Sequence, residues 1–125
     1  MWKEYNANPV ARRGNDCTVR AISTIMMKTW EEVYIDLCLY GLRGYDMPSD
    51  NHIWGAYLED NGYTRHMIPN TCPSCYSVRT FAEEHPKGSY ILALNNHVVA
   101  LRNGNYIDTW DSGDEVVLYY WKRGE

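Results

Sequence analysis

Cys17, His97 and Asp108 have residue types and predicted surroundings that suit nucleophilic chemistry at a carbonyl carbon. The geometry begins at Asn103-Gly104, a dipeptide that favours a two-residue hairpin turn because both residues tolerate positive φ. Such a turn pairs Arg102 with Asn105, and counting outward sets Val99 opposite Asp108 and His97 opposite Trp110. Side chains alternate faces along a strand, so His97, Val99, Asp108 and Trp110 are predicted on one face. His97 and Asp108 become diagonal neighbours roughly 7–8 Å apart at the backbone, within reach of an imidazole–carboxylate hydrogen bond. That bond would fix the tautomer and stabilise the imidazolium. Asp111 or Asn96 would take the place of Asp108 in a different register.

Cys17 follows Asp16 at a predicted helix start, where free N–H groups and the helix dipole lower a thiol pKa. A neighbouring imidazolium would lower it further. Asp16 is expected to turn back and cap the helix rather than oppose the thiolate. Trp110 is expected to shield the His97–Asp108 contact from water.

The other cysteines read differently. Cys38 falls on the apolar stripe of a predicted helix and is expected in the core. Cys72-Pro73-Ser74-Cys75 reads as a loop with two reduced thiols. A redox dithiol is an alternative, as is half of a zinc site completed by His52, His66 or His85. Asp111, Asp114 and Glu115 read as a solvated turn, Arg12-Arg13 as a solvated loop near an acidic group, and Trp54 as core.

Several elements must position these residues. A helix is expected from Cys17 to about Lys28, with Val19, Ile22, Ile25 and Met26 at helical spacing. Thr29-Trp30-Glu31-Glu32 reads as a capping box, opening a helix whose stripe runs Trp30, Val33, Tyr34, Leu37, Cys38 and Gly41, ending at Gly41. Ser49 is expected to cap a third helix carrying Ile53, Trp54, Tyr57 and Leu58, stopped by Asn61-Gly62. A strand over Tyr63–Ile68 and a short helix opened by Ser77 follow. Strands are then expected at Ser89–Leu94, His97–Arg102, Asn105–Thr109 and Val116–Trp121. The pattern predicts an α+β fold in two layers, N-terminal helices on a C-terminal antiparallel meander.

The 125 residues imply one domain spanning 1–125, since two cores would each be too small. Composition is ordinary globular: 45% hydrophobic and 22% charged. Twelve basic against sixteen acidic residues, a net charge of −4, weigh against a nucleic-acid partner. No apolar run is long enough for a membrane span, and the opening residues lack a secretion-signal pattern, so a cytoplasmic address is expected.

Asn15-Asp16-Cys17-Thr18-Val19-Arg20-Ala21, His97-Val98-Val99-Ala100-Leu101 and Tyr106-Ile107-Asp108-Thr109-Trp110 together resemble a papain-like cysteine peptidase. The order Cys, His, Asn or Asp matches that superfamily, and Asp108-Thr109-Trp110 looks like a variant of its Asn-Ser-Trp sequence. More closely, the chain resembles small proteins of Gram-positive gut bacteria and their prophages. The resemblance implies a papain-like fold and a thiol-dependent peptidase or amidase. Cys17 would be the nucleophile, His97 the acid–base, Asp108 the orienting residue, and a peptide or protein the substrate, with no cofactor. The family usually places a Gln six residues before the Cys as an oxyanion donor, and this chain has Ala11 there. Asn15 is the expected substitute, with Asn6 and Asn8 as alternatives, alongside the Cys17 backbone N–H. Two other readings stay open: a catalytically silent papain-like binding module, and a metal or redox module using Cys72 and Cys75.

Overall fold

The computed structural model describes residues 1–124, which form an α+β fold of four helices and six strands. Strand β1 (Trp2–Glu4) precedes helices α1 (Cys17–Met26), α2 (Trp30–Gly44) and α3 (Asn51–Asp60). Strand β2 (Tyr63–Met67) and helix α4 (Val78–Glu84) follow, then β3 (Ser89–Leu94), β4 (His97–Arg102), β5 (Asn105–Asp108) and β6 (Tyr119–Arg123).

The strands make one mixed sheet in the order β1-β5-β4-β3-β6-β2. The expected antiparallel meander survives at its centre, where β5, β4 and β3 are successive antiparallel neighbours. Its flanks correct the expectation of a purely C-terminal antiparallel sheet. β1 pairs in parallel with β5, and β2 closes the far edge against β6. Three residues of β1 carry no readable period; docking on the free edge of β5 makes them a strand. The last strand begins at Tyr119 rather than Val116, because Val116 bridges to Ser77 and Val117 packs under α4 instead.

The layering is also corrected, from two to three. Alternate residues of β3 and β4 split between two cores: Ile91, Ala93, Val98 and Ala100 pack with α1, α2 and α3. Leu92, Leu94, Val99 and Leu101 pack with Val78, Phe81 and Ala82 of α4. A sheet covered on both faces needs apolar residues at consecutive positions, as β3 and β4 have.

Helix boundaries follow local chemistry. The capping box forms in full, Thr29 accepting from the Glu32 N–H and Glu32 accepting from the Thr29 N–H. Gly41 does not end α2. A Cβ there would lie 2.7 Å from the Asp46 carbonyl oxygen, so glycine is needed for close approach, and the helix runs on to a left-handed Tyr45. Asp50 rather than Ser49 caps α3, accepting from the His52 N–H. Ser77 caps α4 through the Thr80 N–H. Cys38 and Trp30 are only half-buried and Tyr34 is exposed, stacked on Trp30, so the buried stripe of α2 narrows to Val33, Leu37 and Gly41. No described helix is long and apolar enough to cross a membrane.

Candidate active site

The hairpin turn sets the site. Asn103 and Gly104 both take positive φ, and Arg102 pairs with Asn105, Leu101 with Tyr106 and Ala100 with Ile107. This is the register expected from the turn, and it brings His97 Nε2 to 2.6 Å from Asp108 Oδ2. Both residues share the strand parity of Val99 and Tyr106, which face α4. At the strand ends, however, they meet the first turn of α1, packed on the opposite face. With Nε2 committed to Asp108, Nδ1 is the ring nitrogen left for Cys17.

Three groups act on the Cys17 thiol. Burial pushes its pKa up, but the His97 hydrogen bond and charge, a hydrogen bond from the Val98 N–H and the Arg20 charge bring it below the ordinary thiol value. His97 moves the opposite way. Burial disfavours its charged form, yet the Asp108 and Cys17 hydrogen bonds and charges raise its pKa to about 9. The two shifts together favour a thiolate–imidazolium pair at neutral pH.

Asp108 is held on every side. Its Oδ1 accepts from the Thr109 N–H at 2.8 Å and faces Arg20 Nη2 at 3.6 Å, and its Oδ2 also accepts from Ser112 Oγ at 2.8 Å. Arg20 and Ser112 were not singled out by sequence. A charged residue between Val19 and Ala21, four places after Asp16, was the available signal for Arg20. Ser112 offered none, because a serine after an acidic turn is ordinary.

Asp16 departs from expectation. Its side chain makes no cap hydrogen bond; it pairs with Arg20 and accepts from Trp30 Nε1 at 3.0 Å and Asn8 Nδ2 at 3.2 Å. A buried arginine one turn along outcompetes the backbone N–H groups for that carboxylate. Asn6 and Asn8 are removed as oxyanion candidates, because they fold the loop before α1. Asn6 accepts from the Asn8 N–H and donates to the Arg12 carbonyl, while Asn8 accepts from the Val10 and Arg12 N–H groups.

A cleft of about 590 Å³ opens over the site, lined by Asn15, Cys17, Asn95, Asn96, His97 and Trp110 among others. Ala11 lies outside this lining. The Trp110 ring stands 5.1 Å from the His97 ring, tilted against it, and is itself 43% exposed. Asp111 accepts from Tyr106 Oη and so does not orient His97. Arg13 pairs with Glu4, and Trp54 is core, as expected.

Cys72 and Cys75 lie outside the cleft, and their sulfurs are bonded to each other as a disulfide. This corrects both the reduced-thiol and the zinc readings. A disulfide offers no thiolate ligands, and the candidate histidines are engaged elsewhere: His66 with Thr64, His85 with the Phe81 carbonyl, His52 with Asp46 and Asp50. Asp46, Asp50 and His52 are the one group of three metal-ligating side chains gathered among the described residues, and all are exposed.

No protein-family model, curated protein or solved structure matches this chain.

Proposed function

We propose that the chain is a papain-like thiol hydrolase acting on an amide bond of a peptide or protein. The observation that carries this reading is His97 Nε2 held 2.6 Å from Asp108 Oδ2 while Cys17 and His97 line one cleft, and the opposite pKa shifts on the thiol and the imidazole support it. The Cys17 thiolate attacks the carbonyl carbon, and the His97 imidazolium gives its proton to the leaving amine. Water then attacks the thioester with His97 as base, releasing the acid and restoring the thiol. Asp108 fixes the ring. The Cys17 backbone N–H and the Asn15 amide are the donors assigned to the oxyanion. The residues need no cofactor for these steps.

A silent binding module is the second reading, favoured by Ala11, which stands outside the cleft at the position of the family's Gln donor. Iodoacetamide alkylation across pH, with each cysteine mapped by mass spectrometry, separates the two. The thiolate population rises as pH passes the lowered Cys17 pKa, and the imidazolium is lost as pH rises through about 9. Cys17 is therefore expected to react at pH 6, and His97→Ala to slow that reaction by roughly 10–100-fold. A Cys17 that reacts only near pH 8.5, indifferent to His97→Ala, sinks the hydrolase reading and leaves the binding module.

A further inference from the structure

Gly41 lets the loop after α2 fold back against the helix. A Cβ there would lie 2.7 Å from the Asp46 carbonyl oxygen and 3.3 Å from the Pro48 nitrogen. The Asp46 N–H donates to the Gly41 carbonyl at 3.0 Å. His52 meets Asp46 at 3.2 Å and Asp50 at 2.5 Å, one acid on each side of Met47-Pro48-Ser49. These ties make the segment a built wall. With buried Val19 and Leu37 and the rings of Trp30 and Tyr34, Met47 and Pro48 line a pocket of about 260 Å³. The two rings stack 5.0 Å apart, and Trp30 Nε1 is held by Asp16. Asn15, Thr18 and Ser49 line both this pocket and the cleft over Cys17, so the two adjoin, and Thr18 directly follows the nucleophile.

We infer that this pocket takes a large apolar side chain, of the leucine or phenylalanine kind, from the polypeptide whose amide bond enters the cleft. The inference rests on the thiol-hydrolase reading and adds its substrate preference. Size points to a single side chain: the pocket is smaller than the ~300–1,000 Å³ that enclose a whole small ligand. Reach points to a residue next to the bond attacked. An extended substrate advances roughly 3.3 Å per residue, so a pocket whose wall begins one residue from Cys17 is met one or two residues from the attacked carbonyl. Chemistry points to an apolar occupant. Six of the ten lining side chains are apolar or aromatic, and three of the polar ones belong to the border with the cleft. The fourth, Asp16, already pairs with Arg20 and accepts from Trp30 and Asn8, so its charge is taken.

Dipeptidyl chloromethyl ketones carrying Gly, Leu, Phe or Lys in turn at each position test the inference, with iodoacetamide as the reference reagent. The Cys17 thiolate displaces the halide and forms a thioether, which mass spectrometry locates and times at pH 6. At one of the two positions, Leu or Phe is expected to react roughly 10–100-fold faster than Gly or Lys. Met47→Glu, at a site 66% exposed, is expected to cut the Phe-to-Gly ratio at least ~10-fold and to raise the Lys-to-Gly ratio. Tyr34→Ala is expected to cut the Phe-to-Gly ratio roughly 3–10-fold. Leu42→Glu, exposed on α2 and outside the pocket, is expected to keep both ratios. A Cys17 inert to iodoacetamide at pH 6 overturns the hydrolase reading and this assignment with it. A Cys17 that takes iodoacetamide but shows no side-chain preference, or prefers Lys, overturns the pocket assignment alone. So does an apolar preference that survives both Met47→Glu and Tyr34→Ala, which would seat the side chain elsewhere. A Leu42→Glu that lowers the ratio as far as Met47→Glu also overturns it, since added charge anywhere would then suffice.

Discussion

Arg20 and Arg79 are built alike and live in different solvents. Each guanidinium bridges two aspartates: Arg20 holds Asp16 and, at 3.6 Å, Asp108, and Arg79 holds Asp114 and, at 3.8 Å, Asp111. The Arg20 side chain is 10% exposed and that of Asp108 2%, against 46% for Arg79 and 87% for Asp114. Charges withdrawn from water lose several kcal/mol of hydration each, so the buried bridge stands only while all its members are present. At the exposed bridge, water and salt do most of the solvating. The buried one is also the one that touches the candidate site, through Asp108 to His97 and through the Arg20 charge to Cys17. Counting ion pairs does not distinguish the two; burial does.

Removing Arg20 is the strongest way to break this contrast. Arg20→Ala leaves the Asp16 and Asp108 carboxylates facing each other's field without their shared cation. A loss of about 3–5 kcal/mol in urea unfolding is expected. The Cys17 pKa should also rise, because the Arg20 charge is one of the influences that lower it. A variant that unfolds within a few tenths of a kcal/mol of the parent would show that the buried bridge carries no more weight than the exposed one.

The same contrast shows what the sequence makes legible. The His97–Asp108 contact could be read because a hairpin turn is local: Asn103-Gly104 fixes a register, and the register fixes which residues meet. The capping box at Thr29 and the cap at Ser77 were legible for the same reason. Arg20 was missed because the local signal, its i,i+4 spacing from Asp16, announces only half of its bridge: its other partner, Asp108, is 88 positions away. Asp16 was misassigned because one local rule displaced another: its i,i+4 pair with Arg20, joined by hydrogen bonds from Trp30 and Asn8, took the carboxylate from the helix cap. At the sheet edges, β1 was not read as a strand and β2 was read as one with no partner, because edge pairing depends on which edges the central hairpins leave free. Asp108 was found by a turn and is held by a fold.

Asp108→Asn sharpens the comparison at intermediate cost. The amide keeps the size of the side chain and can still accept from the Thr109 N–H, but the charge beside His97 is gone. A charge-assisted hydrogen bond of this kind contributes roughly 1.5–3 kcal/mol. His97 has a folded pKa raised to about 9 from 6.5. Its charged interaction therefore stabilises the fold fully below about pH 6.5 and fades as pH rises through 9. Parent and variant should differ most near pH 6 and converge toward pH 10 in urea unfolding. Cys17 alkylation at pH 6 should slow in the variant, as the imidazolium loses its partner. A stability difference that stays flat from pH 6 to 10 would mean that Asp108 acts on His97 by shape alone.

The smallest effect is expected at the exposed bridge, and it is the control on which the contrast rests. Arg79 also packs over the turn after β5: a Cβ at Gly113 would come within 2.7 Å of Arg79 Nη2. That turn carries Ser112, whose hydroxyl donates to Asp108. The backbone there has its own supports, since the Arg79 N–H donates to the Gly113 carbonyl and the Val78 N–H to the Glu115 carbonyl, and both outlast loss of the side chain. Arg79→Ala should therefore keep its thermal midpoint within about 3 °C of the parent. The residual difference should vanish at about 0.5 M salt, where screening weakens the parent's own pair. The Cys17 alkylation profile should not move. If it does move, Arg79 is holding the turn that holds Ser112 and Asp108, and an ion pair open to water reaches the site after all.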